Sequence, residues 1–189
     1  MSRKKRRPIE ARQNRHVNHS TPLPHLSEDE LYARVESQDN PLLLVLDGVE
    51  DPHNLGACLR SADGAGVVAV IAPNRRAASV TETVRRISAG GAEHVPFVQV
   101  ANLARAMERL KDLGVQFLGT SDRATQLLYN TDLSGPLAIV MGSEEKGMRR
   151  LTTDKCDTLV SIPMAGSVEC LNVSVATAVC LFEAVRQRR

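Results

Sequence analysis

Leu42-Leu43-Leu44-Val45-Leu46 contains no polar side chain, and Asp47-Gly48 and then Pro52 follow it closely. An apolar run this short, closed by breakers, reads as a strand covered on both faces. Such strands belong to a parallel sheet sandwiched between helices. Extended apolar runs over 67–72, 95–98, 115–119, 137–141 and 158–162 predict five more strands. Helical patterns lie between them, over 54–65 and 81–89, through Leu103, Met107 and Leu110, over 148–154, and from about 172 to 188. The class is α/β, with a mostly parallel six-stranded sheet and helices on both faces. An ordinary nucleotide-binding fold would carry a GxGxxG turn after the first strand. None occurs here, and Gly64, Gly66, Gly90 and Gly91 read as helix stops.

Three strand-to-helix junctions have one design: a buried strand, a loop with Gly or Pro, polar residues, then a helix. The first runs from Leu46 to Asp63 and includes DPHNLGACLRSAD. The second runs from Ile139 to Met148 as IVMGSEEKGM, and the third from Ile162 to Ala176 as IPMAGSVECLNVSVA. In the third, Asn172 and Ser174 stand at the mouth of an otherwise apolar helix. There they either cap free backbone N–H groups or face a ligand. Asn54 has the same two possibilities at the start of its helix. Arg60 lies between Leu59 and Ala62, where a charge would be costly without a partner such as Asp63 or Glu144.

Composition removes several function classes. Aromatics are 3% of the chain and Trp is absent, which disfavours a module that stacks bases on aromatic platforms. Cys58, Cys156, Cys170 and Cys180 have no CxxC spacing and no His at zinc-ligand distance, so no metal site is expected. They read as buried, reduced thiols of a cytoplasmic protein. No apolar run is long enough for a membrane span.

The net charge is only +2, but it is unevenly spread. Residues 1–26 carry Arg3, Lys4, Lys5, Arg6, Arg7, Arg12 and Arg15 against one acid, Glu10, with Pro8, Pro22 and Pro24 breaking any helix. This is expected to be a disordered basic arm that attracts RNA phosphates through counterion release. Ser27 and Glu30 form a capping box for a short helix near 28–37. The organisation expected is an N-terminal arm over 1–40 and one domain over 41–189.

Together and in this order, the three junctions resemble the motifs of the SpoU (TrmH) family of RNA ribose 2′-O-methyltransferases, within the SPOUT superfamily. The likeness covers about residues 41–188. It is greatest toward members that methylate a guanosine of 23S ribosomal RNA, through DPHNLGACLRSAD, MRRLT, IPMAGSV and the ending LNVSVAT to LFEAVRQR. Those members usually have a separate substrate-binding domain in front, where this sequence has about forty residues.

The resemblance implies a C-terminal deep trefoil knot, a homodimer whose active site draws on both chains, and S-adenosylmethionine as methyl donor. Thr120, Gly142, Ile162, Met164 and Leu171 match positions whose loops hold that cofactor. Asn54, Arg60, Glu144, Asn172 and Ser174 match the catalytic polar positions. The resemblance makes Arg60 the base for the 2′-hydroxyl, alone or with phosphate assistance. Because a free guanidinium holds its proton to above ~12, Arg60 is expected to stabilise the 2′-alkoxide and phosphate, with proton removal shared. Glu144 would hold Arg60 or Asn172. The expected substrate is rRNA. Transfer RNA, or a catalytically weak RNA-binding assembly factor of the same fold, are the alternatives. Two departures bear on activity: Glu145 stands where the family commonly has Gly, and Cys170 where it commonly has Ser. Glu145 raises the question of a backbone angle that glycine accepts more easily.

Overall fold

The structure is a computed structural model that describes residues 24, 26–75 and 77–189; the basic stretch from Arg3 to Arg15 lies outside them. Its strands are β1 (Leu42–Asp47), β2 (Ala69–Pro73), β3 (Phe97–Val100), β4 (Gln116–Thr120), β5 (Gln126–Leu127), β6 (Leu137–Gly142) and β7 (Thr158–Ser161). The helices are α1 (Glu28–Glu36), α2 (Pro52–Ala65), α3 (Glu82–Ser88), α4 (Gly91–His94), α5 (Leu103–Asp112), α6 (Arg150–Lys155) and α7 (Val173–Gln187).

The strands form one sheet in the order β3-β2-β1-β6-β4-β7-β5, and every pairing is parallel. The sheet has seven strands rather than the six expected. The added strand, β5, is two residues at the edge with both side chains exposed, so it leaves no apolar pattern to read.

β1 is buried along its whole length, as its composition requires. Successive side chains of a strand point to opposite faces. Leu42, Leu44 and Leu46 therefore join one core with Leu55, Leu59, Cys180 and Leu181 of α2 and α7. Leu43 and Val45 join the other, with Leu31, Val35, Met107 and Leu110 of α1 and α5. α1 is thus packed onto the sheet domain. Its capping box is formed as the sequence indicates, and Tyr32 lies under the Arg109 guanidinium, 4.5 Å from its ring centroid.

Two local expectations are corrected. The N-cap of α2 is Asp51, whose carboxylate accepts from the His53 N–H, so Asn54 is free of that role. α3 is closed by Ala89, with φ +50°, whereas Gly90, with φ +100°, is already the N-cap of α4 and Gly91 its first residue, so the glycine pair starts a helix rather than stopping one. A Cβ on Gly91 would stand 2.7 Å from the Leu59 carbonyl oxygen, so α4 lies directly against α2.

Candidate functional site

Because all strands are parallel, their C-terminal ends open on one edge, where ligands bind in open α/β sheets. The loops after β4, β6 and β7 enclose a cavity of about 600 Å³ there. This is within the usual range for small-molecule sites. All five positions matched to the cofactor, Thr120, Gly142, Ile162, Met164 and Leu171, line it. Thr120 donates its hydroxyl to the Val140 carbonyl at 3.2 Å, which fixes its rotamer at the end of β4.

Gly142 is required sterically. A Cβ there would lie 2.2 Å from the Gly147 carbonyl carbon and the Met148 nitrogen, both backbone atoms. The chain leaves β6 at Gly142, turns at Glu144, Glu145 and Lys146, and returns past Gly147. Ser143 and Gly147 exchange backbone hydrogen bonds of 3.1 and 2.9 Å across this turn. The left-handed residue of the turn is Gly147, with φ +64°. Glu145 has a negative φ, so the backbone question raised by its side chain does not arise.

The five positions matched to the family's catalytic polar residues meet in part. Asn54 donates its amide to Glu144 Oε1, and Asn172 donates to the same oxygen at 3.3 Å and to Asn54 Oδ1 at 3.1 Å. One residue from each of the three junctions thus closes a triangle. Glu144 and Asn172 line the cavity, and Asn54 is buried behind them. Asn172 is also the N-cap of α7: its Oδ1 accepts from the Ser174 N–H at 2.9 Å and the Ser174 hydroxyl at 2.6 Å. With Oδ1 so engaged, its NH₂ is turned to Asn54 and Glu144. Capping and facing the site, which the sequence left as alternatives, are therefore the same arrangement.

Arg60 does not join this group. It is exposed, does not line the cavity, and makes no hydrogen bond or ion pair with another described residue. Its side chain reaches water, so the buried-charge argument for it fails. Asp63 pairs instead with His94, 3.6 Å away, and Glu144 holds the two asparagines.

The cysteines also separate. Burial pushes the Cys58 thiol up to about 11, and Cys156 and Cys180 to about 12. These three are inert thiols at neutral pH. Cys170 is exposed and lines the cavity, against the expectation of burial. Sequence reasoning also missed Asp47, whose carboxylate is wholly buried and grips Arg149 just beyond the turn. The available signal was an acid ending an otherwise apolar strand.

No group of three or more His, Cys, Asp or Glu among the described residues is placed to hold a metal ion. No described helix is long and apolar enough to cross a membrane.

A parallel sheet with a cavity at its C-terminal edge, walled by backbone turns and a carboxylate–amide triangle, defines an α/β enzyme domain of the kind that grips a small organic cofactor. Residues 41–182 match the model of the SpoU rRNA Methylase family. The chain is 60% identical over 168 residues to the 23S rRNA (guanosine-2′-O-)-methyltransferase RlmB of Photobacterium profundum, covering 89% of this chain and 69% of that protein. It is 61% identical over 163 residues to the corresponding protein of Ralstonia nicotianae, covering 86% and 65%. Among solved structures it resembles the SpoU methyltransferase AviRb of Streptomyces viridochromogenes, with a TM-score of 0.76 and 30% identity over 82% of this chain and 63% of that one. AviRb has also been solved in complex with AdoMet. The chain belongs to the SpoU rRNA Methylase family. It spans about two thirds of the length of the curated relatives it matches.

Proposed function

We propose that this chain transfers a methyl group from S-adenosylmethionine to a ribose 2′-hydroxyl of RNA, that of a guanosine in 23S rRNA. The observation that carries this reading is the meeting of Asn54, Glu144 and Asn172 beside a cavity lined by every position matched to the cofactor. The residues present fit such a ligand. Met141, Ile162, Leu171 and Val173 give the cavity apolar surface, loop backbone gives polar groups, and Glu144 and Glu169 give negative charge for a sulfonium. When bound, the cofactor supplies a methyl already activated by that sulfonium.

The chain's own residues have the remaining tasks. The turn from Gly142 to Met148 and the stretch from Ile162 to Leu171 hold and orient the donor. The triangle fixes the helix start bearing Ser174 against the turn bearing Glu144. The guanidinium of Arg60 stabilises the developing alkoxide and the neighbouring phosphate without giving up its proton, and the 2′-hydroxyl proton leaves to that phosphate or to solvent water.

Arg60 acts at a site shared between two copies of the chain. Support comes from the outward stripe of α7, where Val175 and Phe182 are 50% and 47% exposed on one face. An unpaired apolar helix face suits a two-fold interface. The proposed homodimer carries a C-terminal knot. In its favour, α7 crosses back to pack on α2 and β6 after β7 has paired on the far side of β4. The basic residues before α1 attract the substrate, and the site works in the cytoplasm.

The test is a map of ribose 2′-O-methyl groups in total RNA from cells with and without the gene. Loss of one guanosine mark in 23S rRNA is expected. Loss only in tRNA would redirect the substrate, and loss of no mark would end the enzymatic reading.

A further inference from the structure

Asp47 ends β1 with its side chain wholly buried, yet it belongs to no motif role described above. In the sheet it is the register partner of Gly142, the residue at which the chain leaves β6 for the cofactor turn. Its carboxylate reaches the other end of the same turn. Oδ2 accepts the Arg149 backbone N–H at 2.8 Å, and Oδ1 accepts Arg149 Nε at 2.6 Å and lies 2.5 Å from Nη2. Both ends of the segment 142–149 are therefore fastened to one residue. Between them lie Glu144, which carries the triangle, and Gly147 and Met148, which wall the cavity against Gly142.

We infer that Asp47 is a positioning residue that holds this turn in its binding shape before any ligand arrives. The physical case rests on burial. A carboxylate removed from water is stable only when paired and hydrogen-bonded, and removing its partner is strongly unfavourable. Any outward swing of the turn that carried Arg149 away would strand the Asp47 charge. The turn thus has one low-energy arrangement, and ligand binding gives up little conformational entropy there. Arg149, whose side chain is 47% exposed, can be solvated if released, so the carboxylate is the member that enforces the closure.

This inference rests on the proposed cofactor cavity, and its test separates the two. Full-length wild type, Asp47→Asn and Arg149→Lys are compared by calorimetry with S-adenosylmethionine. Trypsin cleavage after Lys146 is followed by mass spectrometry, well below each protein's Tm. Asn can still accept the backbone N–H but carries no charge; Lys keeps the charge but loses the fork. Asp47→Asn should weaken cofactor binding roughly tenfold and cut faster at Lys146 than wild type, with Arg149→Lys between the two. A merely structural role would lower Tm while leaving both quantities at wild-type values in the folded protein, and that result overturns the inference. If wild type itself binds no cofactor, the proposed function fails while the cleavage ratio still decides the role of Asp47. If Asp47→Asn does not fold, Arg149→Lys decides by the same two readings.

Discussion

Gly142→Ala is the sharpest perturbation of the cavity, because the added methyl has a defined collision. Its Cβ would sit 2.2 Å from two backbone atoms and 2.7 Å from the Gly147 oxygen, whereas ordinary contact begins at 3.4 Å. The return leg of the turn must therefore retreat by about 1.2 Å, the difference between 3.4 and 2.2 Å. No side chain can rotate away, since the obstructing atoms are main chain. Overpacking of this kind costs about 1–3 kcal/mol. In a domain of this size, a cost near the middle of that range lowers Tm by about 4–8 °C. The displaced atoms belong to residues that wall the cavity, so affinity falls as well. A tenfold rise in Kd, about 1.4 kcal/mol, is expected. Thermal melts and calorimetry with S-adenosylmethionine measure both quantities. Gly135→Ala is the control, because nothing lies within 4 Å of its added methyl. If Gly142→Ala keeps wild-type Tm and Kd, the return leg of the turn does not pack against Gly142.

Arg60→Ala removes an exposed side chain without a described partner, so stability should move by no more than about 0.5 kcal/mol. Cofactor affinity should stay the same while methyl transfer to RNA drops roughly 10²-fold; weakened cofactor binding would misplace Arg60. A thiol-exchange reagent at about pH 8 should react quickly with Cys170 alone, and with all four cysteines after unfolding, because Cys58, Cys156 and Cys180 stay protonated well above that pH. S-adenosylmethionine should slow the Cys170 reaction, since that residue lines the cavity. Hydrogen bonds from Arg186 and Gln187 hold the Glu183 carboxyl down at about 2, against an ordinary 4.5. A depressed carboxylate stabilises fully above its unfolded value and loses that contribution as pH falls through the folded one. The difference in urea midpoint between wild type and Glu183→Gln should therefore be constant above about pH 5 and shrink steadily as pH falls toward about 2. A difference that persists at low pH would count against this ion pair.

The sequence carried the sheet well, because parallel strands buried on both faces leave unbroken apolar runs. β1 and β6 were visible this way, each longer by one residue than the run suggests. β5 was invisible because two exposed residues have no period, and α4 because a four-residue helix that begins within a glycine pair looks like a turn. The cavity positions were legible through the motif resemblance, while the triangle was legible only in part. Asn54, Glu144 and Asn172 were singled out, but their mutual bonding joins residues 90 and 118 positions apart, which no local pattern encodes. Arg60 misled because its apolar neighbours suggested burial, whereas a helix turns its successive residues 100° apart and carries this one into solvent. The same local logic hid Cys170, an ordinary buried type that the turn geometry leaves exposed beside the cavity.

A crystal structure of the full chain grown with S-adenosylmethionine tests the account most directly. It should show the donor among Thr120, Gly142, Ile162, Met164 and Leu171, with Asn54, Glu144 and Asn172 still joined beside it and Arg60 of a second copy approaching. Density for the donor at any other surface, or an intact triangle with the cavity too narrow to admit it, would contradict the account.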